Sequence, residues 1–146
     1  MTNNKRIKFA DISSKYITKP YKEYSFDENQ GLDCFSLMCN FLKDYGIEYP
    51  KEFEGTTLSN YFEVWDEDND KAIERLKRYL ETFTEEKEFK DLNVGDIIIC
   101  KYKKLKKRFF TIYAGNGKIF YTTHNYGVSV IPIRYIEIEN IFKGYH

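Results

Sequence analysis

Histidine is nearly absent from this 146-residue chain, which has only His124 and His146. Two imidazoles cannot build a zinc site by themselves. The three cysteines, Cys34, Cys39 and Cys100, follow neither a metal-ligand spacing nor a disulfide framework. No metal and no cofactor is therefore expected, and free thiols suit a reducing compartment or a virion. Net charge is also missing: 23 Lys and Arg balance 23 Asp and Glu, so charge argues neither for nucleic acid nor for a membrane surface. Long apolar runs are lacking as well. Met1-Thr2-Asn3-Asn4-Lys5-Arg6 leads into nothing like a signal peptide, and no later stretch approaches the ~20 apolar residues of a membrane span. The expectation is synthesis in the cytoplasm, with incorporation into a virion as one destination. No repeat or low-complexity segment appears.

Aromatic residues, by contrast, are abundant, with 13 Tyr and 12 Phe. An ordinary core of this size cannot hide them all, so some are expected to line a groove or a partner surface. The length suits one domain, 1–146, with three parts: a lead-in over 1–25, a helical half over 26–90 and a sheet over 91–146. In the helical half, Phe35, Met38, Leu42 and Tyr45 recur at helical spacing until Gly46. Ile73, Leu76, Leu80 and Phe83 do the same after the helix-starting run Asp66–Asp70, predicting a second helix over 69–83. The period then changes. Ile97-Ile98-Ile99-Cys100 predicts a buried strand, Phe109–Tyr113 a second, and Ile119–Thr123 its return after the turn at 114–118. Val128–Ile133 predicts an edge strand, since Pro132 cannot donate to a ladder, and Ile136–Phe142 a last strand. Helices followed by an antiparallel sheet make the fold class α+β.

The residue with the most chemistry is Cys34, where the polar loop ending in Gly31 becomes an apolar helix. Asp33 is the expected N-cap, which places the thiol in the first helical turn. There the unpaired N–H groups and the positive end of the helix dipole favour a thiolate. The alternative is a small core residue, because free cysteines are among the most buried side chains. Cys39 falls on another side of the helix, and Cys100 ends a buried run.

Gly31-Leu32-Asp33-Cys34-Phe35-Ser36-Leu37, then Leu92-Asn93-Val94-Gly95-Asp96-Ile97-Ile98, then Thr111-Ile112-Tyr113-Ala114-Gly115-Asn116-Gly117-Lys118 together resemble the NlpC family of cysteine peptidases over about residues 26–145. The resemblance implies a papain-like domain that cuts peptidoglycan stem peptides. The Gly-Leu-Asp-Cys-Phe form looks most like the tail-associated domains of long-tailed phages, which implies tail or baseplate proteins and peptidoglycan as partners. It also implies that Cys34 is the nucleophile, that the base position falls on Phe109, and that the residue orienting the base falls on Tyr121. A phenyl ring accepts no proton. Ser36 stands where the family has glycine, and crowding of the helix start is the expected consequence.

Two functions follow from the resemblance, and a third, an unrelated α+β adaptor, from treating it as chance. The first is a degenerate NlpC-type domain serving as a structural or binding component, of a phage tail or injection apparatus. The second is an active peptidase or amidase with Cys34 as nucleophile and His124 as base. The hairpin register separates the first two. The family's turn sets Phe109 across from Tyr121 and turns His124 to the opposite face, whereas a two-residue type I′ turn at Asn116-Gly117 sets His124 across from Phe109. The Lys101–Arg108 segment carries six cations in eight residues, as a surface for an anionic ligand, as a solvated hairpin loop or as an edge strand guarded by lysines. The stretch 63–91 is opposite in sign, with eleven acidic and six basic residues, and such a pair of faces suits docking into an assembly. Trp65, Tyr61 and Phe62 form either a ligand wall or core beneath the second helix.

Overall fold

The computed structural model describes residues 15–17, 19–22, 24–27, 29–61, 68–123 and 127–144. Trp65, Phe62 and both histidines lie outside the described residues. Two helices, α1 (Cys34–Asp44) and α2 (Asn69–Glu81), pack on an antiparallel sheet, the expected α+β arrangement. Between the helices lies a two-residue ribbon, β1 (Glu52–Phe53) with β2 (Thr56–Thr57). The large sheet comprises β3 (Glu86–Lys87), β4 (Ile97–Tyr102), β5 (Arg108–Gly115), β6 (Lys118–Thr123), β7 (Gly127–Pro132) and β8 (Ile136–Phe142), in the spatial order β3-β8-β4-β5-β6-β7. β7 is an edge, as Pro132 predicted. The last strand, β8, lies inside the sheet between β3 and β4, with Ile98 paired to Ile141.

Alternation along the strands divides the core into two clusters. Ile97, Ile99, Phe110, Ile112 and Phe120 face the helices and join Leu37, Met38, Phe41, Ile73 and Leu80. Ile98, Cys100, Ile119 and Ile141 form the cluster on the other face, with Phe109 and Tyr113 packed against it. Period-two alternation under a helical layer produces this split directly. Three polar devices tie the layers. Asn69, at the start of α2, exchanges two hydrogen bonds with the Arg108 backbone (3.0 and 2.9 Å). Asp96, fully buried, holds Lys87 Nζ at 2.7 Å and accepts from the Asn93 N–H at 2.8 Å, which closes the turn before β4. The Arg108 guanidinium reaches Glu139 and Glu74, so it spans from β5 to both β8 and α2.

The lead-in packs across the body where it is described. Tyr16 is fully buried against Phe41, and its hydroxyl bonds Asp44. The Lys19 carbonyl accepts from Val128 on β7, and the Pro20 carbonyl from Leu32 (2.8 Å each). Lys103–Lys107 form the exposed loop joining β4 to β5, two interior strands, so the lysines guard a hairpin tip and not a sheet edge. No described helix is long and apolar enough to cross a membrane.

Candidate active site and its cavities

Gly31 delivers the chain to the site at a φ of +135°, and a Cβ there would come within 2.7 Å of the Lys22 side chain, so only glycine fits this approach. Asp33 follows as the N-cap of α1. Its Oδ1 accepts from the Ser36 N–H at 2.8 Å, while Ser36 Oγ accepts from the Asp33 N–H at 2.9 Å, a complete capping box. Ser36 therefore does not crowd the helix start. It supplies the reciprocal half of the cap and is fully buried in doing so. The other oxygen of Asp33 accepts from the Tyr24 N–H at 2.8 Å and from the Tyr61 hydroxyl. Tyr61 then packs at a tilt against Phe35, ring centroids 4.6 Å apart. It is both core and cavity wall, which joins the two readings its sequence position allowed.

Cys34 is the first residue of α1. Its Sγ lies 3.0 Å from Thr122 Oγ1 on β6. Two cavities meet at this thiol, about 490 and 310 Å³, and Cys34, Lys107, Phe109, Phe110 and Thr122 line both. The larger runs beneath Phe35, Tyr61 and Tyr79 to the β1–β2 ribbon and Arg75. The smaller is closed by Met38, Tyr102, Leu105 and Tyr121. Tyr102 stacks on Phe109 (4.5 Å) and meets Tyr121 edge-on (6.0 Å), so an aromatic trio occupies the wall beside the sulfur.

Burial pushes the Cys34 thiol above its ordinary value, and the Asp33 carboxylate pushes the same way. The Thr122 hydroxyl and the local backbone N–H pull down, but by less. The stabilisation of a thiolate expected at a helix start is thus present and outweighed. Cys39 is pushed up to about 12 by burial, with a hydrogen bond to Tyr49 pulling back. Cys100 is raised by burial in the cluster on the far face of the sheet.

Of the residues singled out in sequence, Cys34, Phe109 and Tyr121 come together around the smaller cavity, while His124 lies outside the described residues. The hairpin realises neither expected register throughout. Asn116 and Gly117 both have positive φ (53° and 70°) and Gly115 pairs with Lys118, as a two-residue turn requires. A bulge at Ala114 then shifts the pairing so that Tyr113 faces Ile119. Thr122 was not singled out. The signal for it was the strand alternation that sets Phe120 and Thr122 on one face.

A match to the NlpC/P60 family model extends over residues 18–143. The chain belongs to the NlpC/P60 family. No curated protein matches it. Among solved structures it is similar to the NlpC/p60 domain of the peptidoglycan hydrolase SagA, with a TM-score of 0.57 at 15% identity, over 94% of this chain and 97% of that one. At that identity the likeness shows the fold alone. For an NlpC/P60 domain the notable feature of this site is what lines it: aromatic rings and a threonine hydroxyl stand around the thiol.

Proposed function

We propose that this NlpC/P60 domain, peptidoglycan hydrolase-like in fold and family, binds a ligand at the Cys34 site without cleaving it. The observation that carries the reading is the partner of the sulfur. Thr122 Oγ1, at 3.0 Å, is a hydroxyl that cannot serve as a base near neutral pH, and burial pushes the thiol above its ordinary value. Phe109, at the position where the family resemblance puts the base, offers a phenyl face, and Tyr121 supports no imidazole there. Activation of a cysteine needs an adjacent base or a lowered pKa, and the described residues around Cys34 provide neither.

Iodoacetamide labelling of Cys34 across pH tests this. The expected profile rises only above the ordinary thiol value of about 8.5. The variant Phe109→His, which puts an imidazole in the wall, should move that rise downward. A wild-type profile already at plateau below pH 7 would refute the loss of the base, because only an activated thiolate alkylates there.

The setting we assign to the domain is a phage tail or injection apparatus, where it acts as a structural component toward tail or baseplate proteins. The Gly31-Leu32-Asp33-Cys34-Phe35 form supports this, as do the opposite charges of the Lys101–Arg108 loop and the 63–91 stretch. A tail partner should bind Cys34→Ala as well as wild type. Loss of that binding in a folded variant counts against a non-catalytic role.

A further inference from the structure

The larger cavity has a composition unlike that of a peptide-cleaving cleft. Phe35, Phe53, Leu58, Leu76, Tyr79 and Phe110 contribute to a wall that is mainly apolar. Its volume, about 490 Å³, lies within the range of about 300–1,000 Å³ typical of small-molecule sites. The amides of a peptidoglycan stem peptide laid along these rings would lose water there, and the polar groups that could offset the loss stand at the rim.

One polar group in the wall is left over. Arg75, half-buried on α2, donates from Nη1 to the Thr56 hydroxyl at 3.0 Å, and its buried Nε has no hydrogen-bond partner among the described residues. The contrast with Arg78, one turn further along α2, is direct. Arg78 is gripped at both ends of its fork by Glu54, at 2.7 and 2.8 Å. The Glu54 carboxylate that Arg78 grips also attracts Arg75 through space, but the hydrogen-bond partner of Arg75 among the described residues is a neutral hydroxyl, which leaves a half-buried guanidinium able to take a planar anion. The rest of the rim has the same sign, since Lys51 and Lys107 also line the cavity against one carboxylate, Glu52. The Lys103–Lys107 loop beside Cys34 carries the exposed Leu105, 56% accessible, among its lysines.

We propose that the larger cavity is a binding site for an anionic amphiphile, a single alkyl chain lying along the aromatic wall with its carboxylate or phosphate on Arg75. This names the ligand class for the Cys34 site read above as a binding site, and it does not depend on whether the thiol is activated. The apolar wall supplies affinity through chain burial, and Arg75 supplies the preference for charge.

Titration calorimetry of the full chain with octanoate, decanoate and dodecanoate, all below their micelle concentrations, tests the site. Saturable one-to-one binding is expected, tightening about fourfold per methylene, the factor that burying each CH₂ group provides. Neutral dodecanol should bind at least tenfold more weakly than dodecanoate. Arg75→Gln should abolish that difference while leaving dodecanol binding in place, and Arg75→Lys should retain part of it. Leu58→Trp, which fills the cavity from its wall, should remove binding of both, with unchanged circular dichroism as the folding control. Monododecyl phosphate distinguishes the head groups. Tighter binding than dodecanoate assigns a phosphate, weaker binding a carboxylate, and either supports the site. Absence of saturable dodecanoate binding, affinity independent of chain length, or charge discrimination that survives Arg75→Gln would overturn the proposal. Dodecanoate binding to a protein whose Cys34 alkylates below pH 7 upholds the ligand class and refutes only the loss of the base. An ordinary thiol with no alkyl-chain binding does the reverse.

Discussion

Replacing Asp33 by alanine should remove a large fraction of the stability of this domain. The carboxylate is fully buried and serves three donors at once: the Ser36 N–H in the capping box, the Tyr24 N–H and the Tyr61 hydroxyl. Loss of the cap costs about 1 kcal/mol. The Tyr24 N–H and the Tyr61 hydroxyl then lose this carboxylate as an acceptor, at about 1–3 kcal/mol each. The total is about 3–7 kcal/mol, against about 5–15 kcal/mol for a whole domain. Urea unfolding followed by circular dichroism measures it. Asp33→Asn, which keeps one acceptor oxygen for the helix N–H, should fall between wild type and alanine. The Tyr61→Phe background separates the parts. There the hydroxyl no longer needs a partner, so Asp33→Ala should cost about 1–3 kcal/mol less than in wild type. A loss below about 1 kcal/mol for Asp33→Ala, or strict additivity with Tyr61→Phe, would refute the network. The same substitutions bear on the thiol. Asp33 raises the Cys34 pKa, so Asp33→Asn should shift alkylation of Cys34 to lower pH.

Alkaline solutions should destabilise the fold through its buried thiols. Cys39 holds its proton up to about 12 when folded, whereas an unfolded thiol releases it near 8.5. The stability it contributes is therefore complete below about 8.5 and is lost as pH rises toward 12. Between pH 8.5 and 10 the loss is about 2 kcal/mol from this thiol, and Cys39→Ala should flatten that slope in urea titrations. A slope unchanged by the substitution would contradict the assignment. Gly127→Ala should detach the lead-in, because the residue has a φ of +64° and a Cβ would collide with the Lys19 carbonyl, the group that bonds Val128. Limited proteolysis should then cut before Leu32 faster than in wild type, with α1 and the sheet intact; equal rates would contradict this packing.

Local features of this protein were legible in its sequence and non-local ones were not. Asp33 before an apolar periodic run predicts an N-cap and a helix because both depend on neighbours a few residues away, and α1 begins at Cys34 as expected. The second helix and the strands at 97, 109, 119 and 128 follow the same logic of period and punctuation. Ser36 was read against a family glycine as a source of crowding, yet its hydroxyl completes the cap, an outcome set by a rotamer and not by volume. The place of β8 was hidden for a different reason. Insertion between β3 and β4 depends on strand pairing across about forty residues, which alternation alone does not encode. The turn at Asn116-Gly117 was readable, but a bulge at Ala114, on the β5 side of the turn, shifts the pairing from Gly115–Lys118 to Tyr113–Ile119. That same shift, together with strand alternation, is why Thr122 went unnoticed as the partner of Cys34.

The thiol shows how a local signal and a tertiary one compete. A helix start offers a cysteine backbone N–H groups and a partial positive charge, worth about 0.3–1 kcal/mol at the surface and up to ~2 kcal/mol when partly buried. That range is less than two pKa units, since one unit is about 1.4 kcal/mol. Desolvation by close-packed apolar neighbours can exceed it, with shifts of up to about 3–5 units for full burial. Here Phe35, Phe109 and Phe110 line the cavity that Cys34 opens on, and the balance falls on the side of burial. An imidazole in the wall would reverse that balance by giving the thiolate an ion-pair partner. Under the proposed reading, the aromatic lining therefore has two consequences with one cause. It keeps Cys34 neutral, and it makes the cavity beside Cys34 suitable for an alkyl chain. Phe109→His separates them, because one added imidazole should lower the thiol pKa while leaving the distant Arg75 end of the larger cavity unchanged. If that variant gained thiolate reactivity and kept its preference for dodecanoate over dodecanol, the thiol and the amphiphile site would be independent features of the same wall.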